Sequence, residues 1–399
     1  MLNNMNYILF DDASRNNLLP LAFTRPVADI RVGILTIREK WEKYLNCSTS
    51  SLTEEYLSEK FPTVIKSNNY LINSSIFPNK QIIDEIHTLK PNQALSAGDY
   101  VIAYNIKEED FANIGDDSLA NYEEIESKSL HTKLNNVWDI FVLNGQEIIA
   151  DFEMLTKGRK SAVISDTNKI VGNQQIFIEE GAKIEFSILN ATEGPIYIGK
   201  DAEIMEGCLV RGPFALCENA MLKMGAKIYG GTTIGPYSKV GGEINNVVIL
   251  GYSNKAHEGF LGNSVIGEWC NIGADTNTSN LKNTYEEVKL WNYPLQTFVS
   301  TGLQFCGLIM GDHSKCGINT MFNTGTVVGV NANVFGSGFQ RNFIPSFSWG
   351  GVSGISTYDI KKAIIVAQRV YERRDLTFSD TEKDILKHVF NLTYKNRML

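Results

Sequence analysis

Residues 198–240 repeat with a period of six, and this period most limits what the chain can fold into. Every sixth residue there is aliphatic, through eight consecutive repeats: Ile198, Ile204, Val210, Leu216, Leu222, Ile228, Ile234 and Val240. Apolar positions recur about every 3.6 residues in a helix and about every two in an alternating strand, so neither element explains the pattern. A fixed period of six is typical of the hexapeptide repeat of a parallel β-helix.

Small side chains follow most of the aliphatic positions by four residues. They are Ala202, Cys208, Ala220, Ala226, Thr232 and Ser238, with Phe214 as the exception among the first seven repeats. This spacing predicts that each hexad forms a short strand and a corner, with the aliphatic residue inside a prism. Three hexads would form one triangular coil, and coils stacked about 4.8 Å apart would share a ladder of hydrogen bonds. An ordinary buried sheet is the alternative, but it would not hold one register for so long.

The repeat extends beyond this stretch and is interrupted by one long segment. Hexads begin near residue 164, slip at 190–196, and return later at Met310, Cys316, Phe322, Val328 and Val334. Residues 279–304 break the period altogether. We expect a β-helix domain over 161–345 in which this segment is a loop thrown out from one corner. Long loops on rigid scaffolds usually carry function.

The first 160 residues lack this period and alternate strand-like with helix-like segments. The apolar spacing predicts strands at 7–10, 100–104 and 137–143 and helices at 30–44 and 82–89. Strands that alternate with helices indicate an α/β domain, which we place at 1–160. The acidic segment 107–126 is expected to be solvated surface.

Residues 346–399 return to helical patterns. Residues 358–374 are amphipathic, and Ser379 with Glu382 three residues later forms a capping box that opens a second helix. We expect these helices to cap the open end of the β-helix, since a bare last coil would expose strand edges. A role in binding a partner is the alternative.

Charge, hydropathy and cysteine content set limits on partners and compartment. The net charge is −8 and basic residues are not clustered, which argues against binding to nucleic acid. No apolar run approaches the roughly 20 residues of a membrane helix, and the opening residues do not resemble a signal peptide. The six cysteines include no C-x-x-C pair, and Cys208, Cys270 and Cys316 fall at inward positions of hexads. We therefore expect a cytoplasmic, reduced protein without membrane contact.

Polar residues concentrate where the hexads falter, in segments 253–262 and 271–280. They contain the series Lys255-Ala256-His257, Phe260-Leu261-Gly262-Asn263, Asn271-Ile272-Gly273-Ala274-Asp275-Thr276 and Asn280-Leu281-Lys282. The series and its spacing resemble the acetyltransferase half of the GlmU family, whose bifunctional members acetylate glucosamine 1-phosphate and then uridylylate the product. The resemblance covers residues 220–335 and implies a left-handed β-helix.

The resemblance also implies roles for individual residues. His257 matches the general base that takes a proton from the sugar amine, and imidazole suits this task because its unperturbed pKa is near neutral. Asn271 and Asn280 match residues that hold the sugar and orient the base. Lys255 is grouped with them as a substrate contact. Ala274 matches a position whose backbone lies at the acyl group of acetyl-CoA.

Three further positions bear on the sugar phosphate. Lys223 falls where the family has a phosphate-binding arginine, whereas Phe260 replaces a tyrosine and Asn246 stands where a lysine is expected. Two alternatives stay open from the residues alone. His313 is a second candidate for the base, and the asparagines would equally suit backbone hydrogen bonds at turns.

The N-terminal segment is similar to sugar nucleotidyltransferases, which open with a strand and a glycine-rich phosphate loop. Here residues 8–15 take the place of that loop without a single glycine. The resemblance implies that Arg15, Arg25 and Arg31 neutralise nucleotide phosphates, since arginine suits bidentate contact with them.

Two aspartates at the end of the first predicted strand are candidates for a metal site. The resemblance implies that Asp11 or Asp12 holds Mg²⁺, which prefers carboxylate oxygens. For these aspartates and for the three arginines, surface ion pairs are the alternative.

As a whole, the resemblance implies an enzyme of UDP-N-acetylglucosamine synthesis. Acetyl-CoA would acetylate glucosamine 1-phosphate at the β-helix, and UTP would react with N-acetylglucosamine 1-phosphate at the N-terminal domain. A homotrimer is implied too, because the acyl site of such enzymes lies between neighbouring prisms. One alternative is a nucleotidyltransferase for another hexose 1-phosphate, such as thymidylyl transfer to glucose 1-phosphate, with a non-catalytic β-helix. The other is a scaffold that binds nucleotide sugars without turnover.

Overall fold

The computed structural model describes residues 5–113 and 122–398. The chain divides into two compact units. The first is formed by Met1–Leu18, Arg25–Ile30 and Leu35–Asn135, and the second by Leu19–Thr24, Arg31–Ile34 and Asn136–Leu399. The domain bounds drawn from the sequence, at 160 and 345, stay a proposal.

The first unit is built on one mixed sheet. Its strands are β1 (Asn6–Phe10), β2 (Ser50–Leu52), β3 (Asn68–Asn73), β4 (Gln93–Ala97), β5 (Tyr100–Lys107) and β6 (Glu123–Glu126). They lie in the order β2-β1-β3-β5-β4-β6. β1 is parallel to both of its neighbours, whereas β5 is antiparallel to β3 and β4. The carboxyl end of β1, where Asp11 and Asp12 follow, therefore lies beside the end of β3.

Two helices accompany this sheet, α1 (Ile37–Leu45) and α2 (Lys80–Thr88). The predicted strands at 7–10 and 100–104 and the helix at 82–89 are confirmed. The helix predicted from residue 30 begins only at Ile37, because the Thr36 side chain caps it and forms a capping box with Glu39. Part of the acidic segment 107–126 lies outside the described residues.

The strand predicted at 137–143 is wrong. These residues open the helix α3 (Asp139–Thr156), which belongs to the second unit. A short apolar run does not distinguish a buried strand from a buried helix turn, and here the run continues into a long helix. Asn144 and Asp151 of α3 accept hydrogen bonds from the backbone N–H groups of Gly33 and Ile34, at 2.7 and 2.8 Å. These bonds explain why residues 31–34 are counted with the second unit.

The second unit is a parallel β-solenoid of about 10 turns over residues 169–350. Its first strands are β7 (Lys169–Val171), β8 (Ile176–Ile178), β9 (Lys183–Ile184), β10 (Ile188–Asn190), β11 (Ile196–Ile198), β12 (Glu203–Ile204), β13 (Leu209–Arg211), β14 (Phe214–Leu216), β15 (Met221–Leu222), β16 (Lys227–Ile228), β17 (Thr232–Ile234), β18 (Lys239–Val240), β19 (Glu243–Gly251) and β20 (Asn254–Lys255). The later strands are β21 (Phe260–Glu268), β22 (Asn271–Ile272), β23 (Asn277–Thr278), β24 (Lys289–Asn292), β25 (Thr297–Ser300), β26 (Leu308–Met310), β27 (Lys315–Cys316), β28 (Met321–Phe322), β29 (Thr326–Val328), β30 (Asn333–Val334), β31 (Phe343–Ile344), β32 (Ser348–Gly351) and β33 (Gly354–Thr357).

Strand register confirms the triangular coil. Ile204 pairs with Leu222, and Leu222 pairs with Val240, so each step along the ladder spans three hexads. All eight aliphatic positions of the ideal stretch are buried, and so are the small residues that follow them. The β-helix prediction is therefore confirmed. Its left hand stays an expectation from the resemblance.

The interruption at 279–304 contains an antiparallel hairpin of β24 and β25. Leu290 of this hairpin is fully buried, and the Trp291 ring stacks on Phe343 at 4.2 Å between centroids. The segment leaves the repeat as predicted, but part of it packs back onto a later coil because its apolar side chains need cover.

The C-terminal helices α4 (Ile360–Glu372) and α5 (Asp380–Leu392) are confirmed, including the capping box of Ser379 and Glu382. Their placement differs from the prediction. The sheet edge at β32 is taken by the antiparallel β33. The helices pack along a corner of the coils instead, with Tyr371 stacked on Trp269 at 3.9 Å and Phe390 against Phe347 at 5.1 Å. Among the described residues, none of the helices combines the length and the apolar content that crossing a membrane requires.

Candidate functional site

His257 lies in the corner that follows β20, and its side chain is exposed. The corner is fixed from inside, because the Lys255 Nζ donates a hydrogen bond to the backbone carbonyl of His257 at 2.6 Å. The next coil supports it too, since the Asp275 N–H donates to the Glu258 carbonyl at 3.0 Å. The imidazole is thus presented to solvent from a rigid turn, which suits a base that meets a diffusing substrate.

Lys255 stands where the repeat would place an aliphatic residue. It pairs with the fully buried Val240 in the ladder, and its own exposure is 2%. Burial lowers the pKa of Lys255 to about 8, although the nearby Glu258 and Asp275 act in the opposite direction. This placement favours a role in holding the corner of His257 over direct contact with a substrate.

Replacing Lys255 by methionine is expected to change how stability depends on pH. Between its folded pKa of about 8 and its ordinary value of 10.5, the unfolded chain binds more protons than the folded one. The unfolding free energy should therefore rise with pH across this window, and Lys315, whose pKa is also lowered to about 8 by burial, adds to the rise. Lys255→Met should remove part of that slope in urea unfolding measured at several pH values. The exposed Lys361→Met is the control, and an unchanged slope in Lys255→Met would refute the assignment.

Asn280 lies in a polar cluster against the Phe260 ring. Its Nδ2 donates to Asn263 Oδ1 at 2.8 Å, and its carbonyl accepts from the Cys306 N–H at 2.9 Å. A Cβ at Gly262 would lie 2.6 Å from the Asn280 amide and 2.5 Å from the Phe260 ring, so glycine is needed for this approach. The cluster holds Asn280 rigidly on the wall formed by β21.

A column of asparagines continues from this cluster. Asn246 and Asn263 both adopt left-handed backbone angles, with φ of 54° and 44°. The Asn246 side-chain amide has partners for both of its polar atoms in one orientation. Its oxygen then accepts from Asn263 Nδ2 at 3.1 Å, and its nitrogen donates to the Phe141 carbonyl of α3 at 2.8 Å. Asn246 thus stabilises a turn through its backbone angle and its amide hydrogen bonds, at a position where the family resemblance implies a phosphate-binding lysine.

A groove of about 800 Å³ runs from the corner below His257 along later coils. Its lining includes Asp275, Asn277, Ile318, Asn319, Met321 and Phe335. Ile318 and Phe335 are 71% and 41% exposed, so the groove offers apolar surface to solvent. Ala274 adjoins it, and its carbonyl accepts from the Asn319 N–H at 2.8 Å. The groove fits an extended ligand with an apolar arm.

The other candidates of the β-helix lie in different places. Lys223 follows β15 in the same column of corners as His257, two coils earlier, with its N–H bonded to the Val240 carbonyl at 2.7 Å. Asn271 is exposed on β22 and lines a separate cleft. His313 is 6% exposed and its ring centre lies 6.3 and 6.2 Å from those of Trp269 and Tyr371, which favours a packing role for it.

In the first unit, the side chain of Asp11 is 4% exposed and its carboxylate is held by several donors. It accepts hydrogen bonds from the Val27 N–H at 2.9 Å and from the hydroxyls of Thr53 and Ser74 at 2.6 and 2.8 Å. The Arg15 Nε lies 3.3 Å from it. Burial raises the pKa of Asp11, although these donors and the guanidinium act in the opposite direction.

Asp12 is more open but is also engaged. It accepts from the Ser14 N–H at 3.0 Å and from Asn73 Nδ2 at 2.9 Å, and the Lys133 ammonium lies 3.1 Å away. Burial alone would raise the pKa of Asp12, but the hydrogen bonds from Ser14 and Asn73 and the charge of Lys133 lower it. Neither Lys133 nor its pairing with Asp12 was anticipated from the sequence.

The surroundings of these aspartates do not fit a resident Mg²⁺. Each carboxylate already accepts from protein donors, and each has a cationic side chain, Arg15 or Lys133, where a metal would compete with it. Among the described residues, no group of three or more metal-ligating side chains converges. These contacts argue against the Mg²⁺ site that the resemblance implies at Asp11 or Asp12.

The three arginines predicted to meet phosphate are all buried. Arg15 donates to the Tyr56 hydroxyl at 3.0 Å and borders a cavity of about 330 Å³ with Asp12, Asn16 and Glu54. Arg25 belongs to the first unit, whereas Arg31 belongs to the second and donates to the Ile34 carbonyl. The structure does not bring the three into one unit.

Comparison with known proteins supports both halves of the resemblance. Residues 7–160 match the family model described as sugar nucleotidyl transferase. A bifunctional sugar-1-phosphate nucleotidylyltransferase/acetyltransferase of Sulfurisphaera tokodaii is 27% identical over 174 residues, 43% of this chain and 42% of its own length. The bifunctional protein GlmU of Methanococcus aeolicus is 28% identical over 317 residues, 78% of this chain and 62% of its own. The chain thus spans less than two thirds of these relatives.

Among solved structures, the polySia-specific acetyltransferase NeuO aligns with 53% of this chain and 99% of its own. The identity is 15% and the TM-score 0.24, a likeness too weak to carry an argument.

The architecture is a nucleotidyltransferase-like domain followed by a parallel β-helix and C-terminal helices. In sequence the chain is similar to sugar nucleotidyl transferases over residues 7–160 and to bifunctional GlmU proteins.

Proposed function

We propose that the chain is a bifunctional sugar-1-phosphate nucleotidyltransferase and acetyltransferase. The observation that carries the acetyl-transfer half is the exposed His257 on a corner braced by Lys255, directly above an open groove. The relatives' names support both halves, since they join the two activities. The substrates we propose are glucosamine 1-phosphate, acetyl-CoA and UTP, with UDP-N-acetylglucosamine as the product.

In the proposed acetyl transfer, His257 acts as general base. As the sugar amine attacks the thioester carbon, a C–N bond forms and the imidazole accepts the proton that the nitrogen loses. The C–S bond then breaks, and the departing thiolate takes a proton to leave as free thiol. Asn280 is proposed to hold the sugar, and the backbone at Ala274 to lie at the carbonyl where negative charge develops.

The groove below His257 is proposed to hold the acyl-CoA arm. Its exposed Ile318 and Phe335 would pack against the apolar parts of the arm, while Asn277 and Asn319 offer polar contacts to its amides. Phe260 would face the sugar without the hydroxyl found in the family, so the acyl donor is the better supported of the two ligands.

In the proposed second reaction, an oxygen of the sugar 1-phosphate attacks the α-phosphorus of a nucleoside triphosphate, and pyrophosphate leaves. The family match over 7–160 supports this assignment. Arg15 and Arg25 are the proposed phosphate contacts, although the cavity beside Arg15 is also lined by the carboxylates of Asp11, Asp12, Glu54 and Glu55. The engagement of Asp11 and Arg15 within the protein favours a second candidate, a first unit that binds a nucleotide sugar without turnover.

A coupled assay tests both halves at once. Free thiol and pyrophosphate are scored separately with glucosamine 1-phosphate, acetyl-CoA and UTP, and then with glucose 1-phosphate and dTTP. Thiol release alone would leave the acetyltransferase with a non-catalytic first unit. Pyrophosphate release only with glucose 1-phosphate would select another hexose, and release of neither product would overturn the proposal.

The protein is expected to be a trimer with a mass near three times 44.5 kDa. Ile188 and Leu209 pair directly on neighbouring strands, and both are exposed, at 43% and 48%. Lys169 and Lys227 flank this apolar pair on the neighbouring strands, and prisms placed side by side would cover the pair. Light scattering at micromolar concentration measures the mass, and a monomer would contradict an acyl site shared between chains.

A further inference from the structure

A second cleft, of about 480 Å³, lies between α4 and the wall of the ten-stranded sheet of the β-helix. It is lined by aromatic residues of one corner column, by polar residues of β18, β20, β22 and β27, and by the end of α4. None of its side chains has a role in the acetyl transfer described above, and Asn271, which the resemblance implied as a sugar contact, lies in this cleft. We refer to it as the α4 cleft.

Stacked aromatic rings build the back of the α4 cleft. Tyr237, Tyr252 and Trp269 occupy successive corners with left-handed backbone angles, φ of 58°, 53° and 62°. Their rings stack at 5.0 and 4.3 Å between centroids. Tyr371 of α4 adds to the stack on Trp269 and so docks the helix beside the coils. The cleft therefore has rigid walls on both sides.

Arg374 joins the helix end to these corners. Its guanidinium donates to the carbonyls of Tyr237 and Tyr252, at 2.6 and 3.4 Å, and lies 5.9 Å from the centre of the Tyr252 ring. The contacts pin the end of α4 over the cleft and place the exposed Arg373 at its mouth. Arg374 thus positions a second cation.

The lining of the α4 cleft is cationic. Lys239, Lys315, Arg373 and Arg374 border it together with the amides of Asn254 and Asn271. Among the described residues that line it there is no carboxylate. Glu268 and Glu218 lie nearby, and their charges help to raise the pKa of Tyr252, which burial raises most. Four cations around one cavity in a chain of net charge −8 create a local field that attracts anions.

We propose that the α4 cleft binds the phosphoryl group of a small molecule through Lys239 and Arg373, with the two asparagine amides as further donors. Lys315, whose Nζ donates to the His313 carbonyl at 2.8 Å, adds its charge to the site. Phosphate oxygens accept several charge-assisted hydrogen bonds at once, which a cluster of lysine, arginine and amide groups supplies. The stacked rings leave an aromatic rim for the remainder of the ligand. The proposed phosphoryl site is separate from the proposed site of acetyl transfer and does not depend on that activity.

Calorimetric titration of the full chain tests the site with inorganic phosphate, glucosamine 1-phosphate and CoA as separate probes. Lys239→Gln combined with Arg373→Gln is expected to weaken binding about tenfold or more, because each substitution removes a charge-assisted contact. Both side chains are exposed, so folding should persist, which circular dichroism checks. The matched control is Arg369→Gln, on the same helix but outside the lining, and it should bind as the wild type does.

The probes separate the sources of the phosphoryl group. Tighter binding of glucosamine 1-phosphate than of inorganic phosphate, lost in the double variant, identifies a sugar phosphate, and the same pattern for CoA identifies its phosphates. Glucosamine 1-phosphate and CoA are also the proposed ligands of the acetyl-transfer site, so only the binding that the double variant loses is assigned to the α4 cleft. The double variant should still release thiol from acetyl-CoA at the wild-type rate, so a failure of acetyl transfer and a failure of this site are distinct results. Binding that is equal in the wild type and the double variant, or no binding of any probe at millimolar concentration, would overturn the proposal.

Discussion

Replacing His257 by alanine is expected to lower the rate of acetyl transfer by about 10²–10⁴-fold, the usual cost of losing a general base. The side chain is exposed and its corner is held by backbone contacts and by Lys255, so the fold should not change. Release of free thiol from acetyl-CoA measures the rate.

Two other histidines make this test specific. His388→Ala alters an exposed side chain on α5 and should leave thiol release unchanged. His313→Ala removes a buried ring from the stack with Trp269 and Tyr371, so it should reduce thermal stability first. If His257→Ala retained near-normal thiol release, His257 would not be the base, and His313 would be the next residue to test.

Replacing Arg15 by alanine is expected to destabilise the first unit by about 3–5 kcal/mol, because it leaves a buried carboxylate without its cation. The side chains of Arg15 and Asp11 are 7% and 4% exposed, and Nε lies 3.3 Å from the carboxylate. Denaturant unfolding measures the loss. Lys107→Ala, which removes an exposed ion pair with Glu109, is the control and should cost at most about 1 kcal/mol.

Because Arg15→Ala is expected to be less stable, a second substitution is needed to test the role of Arg15 in nucleotidyl transfer. Arg15→Ala should also reduce pyrophosphate release without changing acetyl transfer, since the two proposed sites lie in different units. Arg15→Lys keeps the buried charge but loses the forked donor geometry. If Arg15→Lys folds normally and releases pyrophosphate at the wild-type rate, the contact between Arg15 and phosphate is wrong. A stable Arg15→Ala variant would show that the ion pair with Asp11 contributes little.

The β-helix was predictable because its rule is local and repeats. Each hexad places one aliphatic residue inside the prism, so the period in residues 198–240 reports the register directly, and Ile204 pairs with Leu222 as three hexads per coil require. The helix at 139–156 was not predictable in this way. Its opening apolar run is too short to distinguish a helix from a strand by its period. The helix is held by hydrogen bonds from the backbone of Gly33 and Ile34, more than 100 residues earlier in the chain, which the local sequence does not indicate.

Some features of the candidate site likewise follow from a local sequence motif, whereas others depend on long-range contacts. The sequence by itself predicted His257 and the segments around it as a site, because the motif is contiguous in the chain, and this assignment stays a prediction. Only the tertiary structure decided that Lys255 lies inside the wall, that Asp11 and Arg15 are buried partners, and that Arg374 closes a cleft against Tyr237. Burial and pairing depend on residues far apart in the chain, and Arg374 and Tyr237 are separated by 137 positions. A local sequence pattern does not indicate which distant residues will be in contact. The burial, ion pairs and pKa shifts of these side chains therefore depend on how the coils and helices pack.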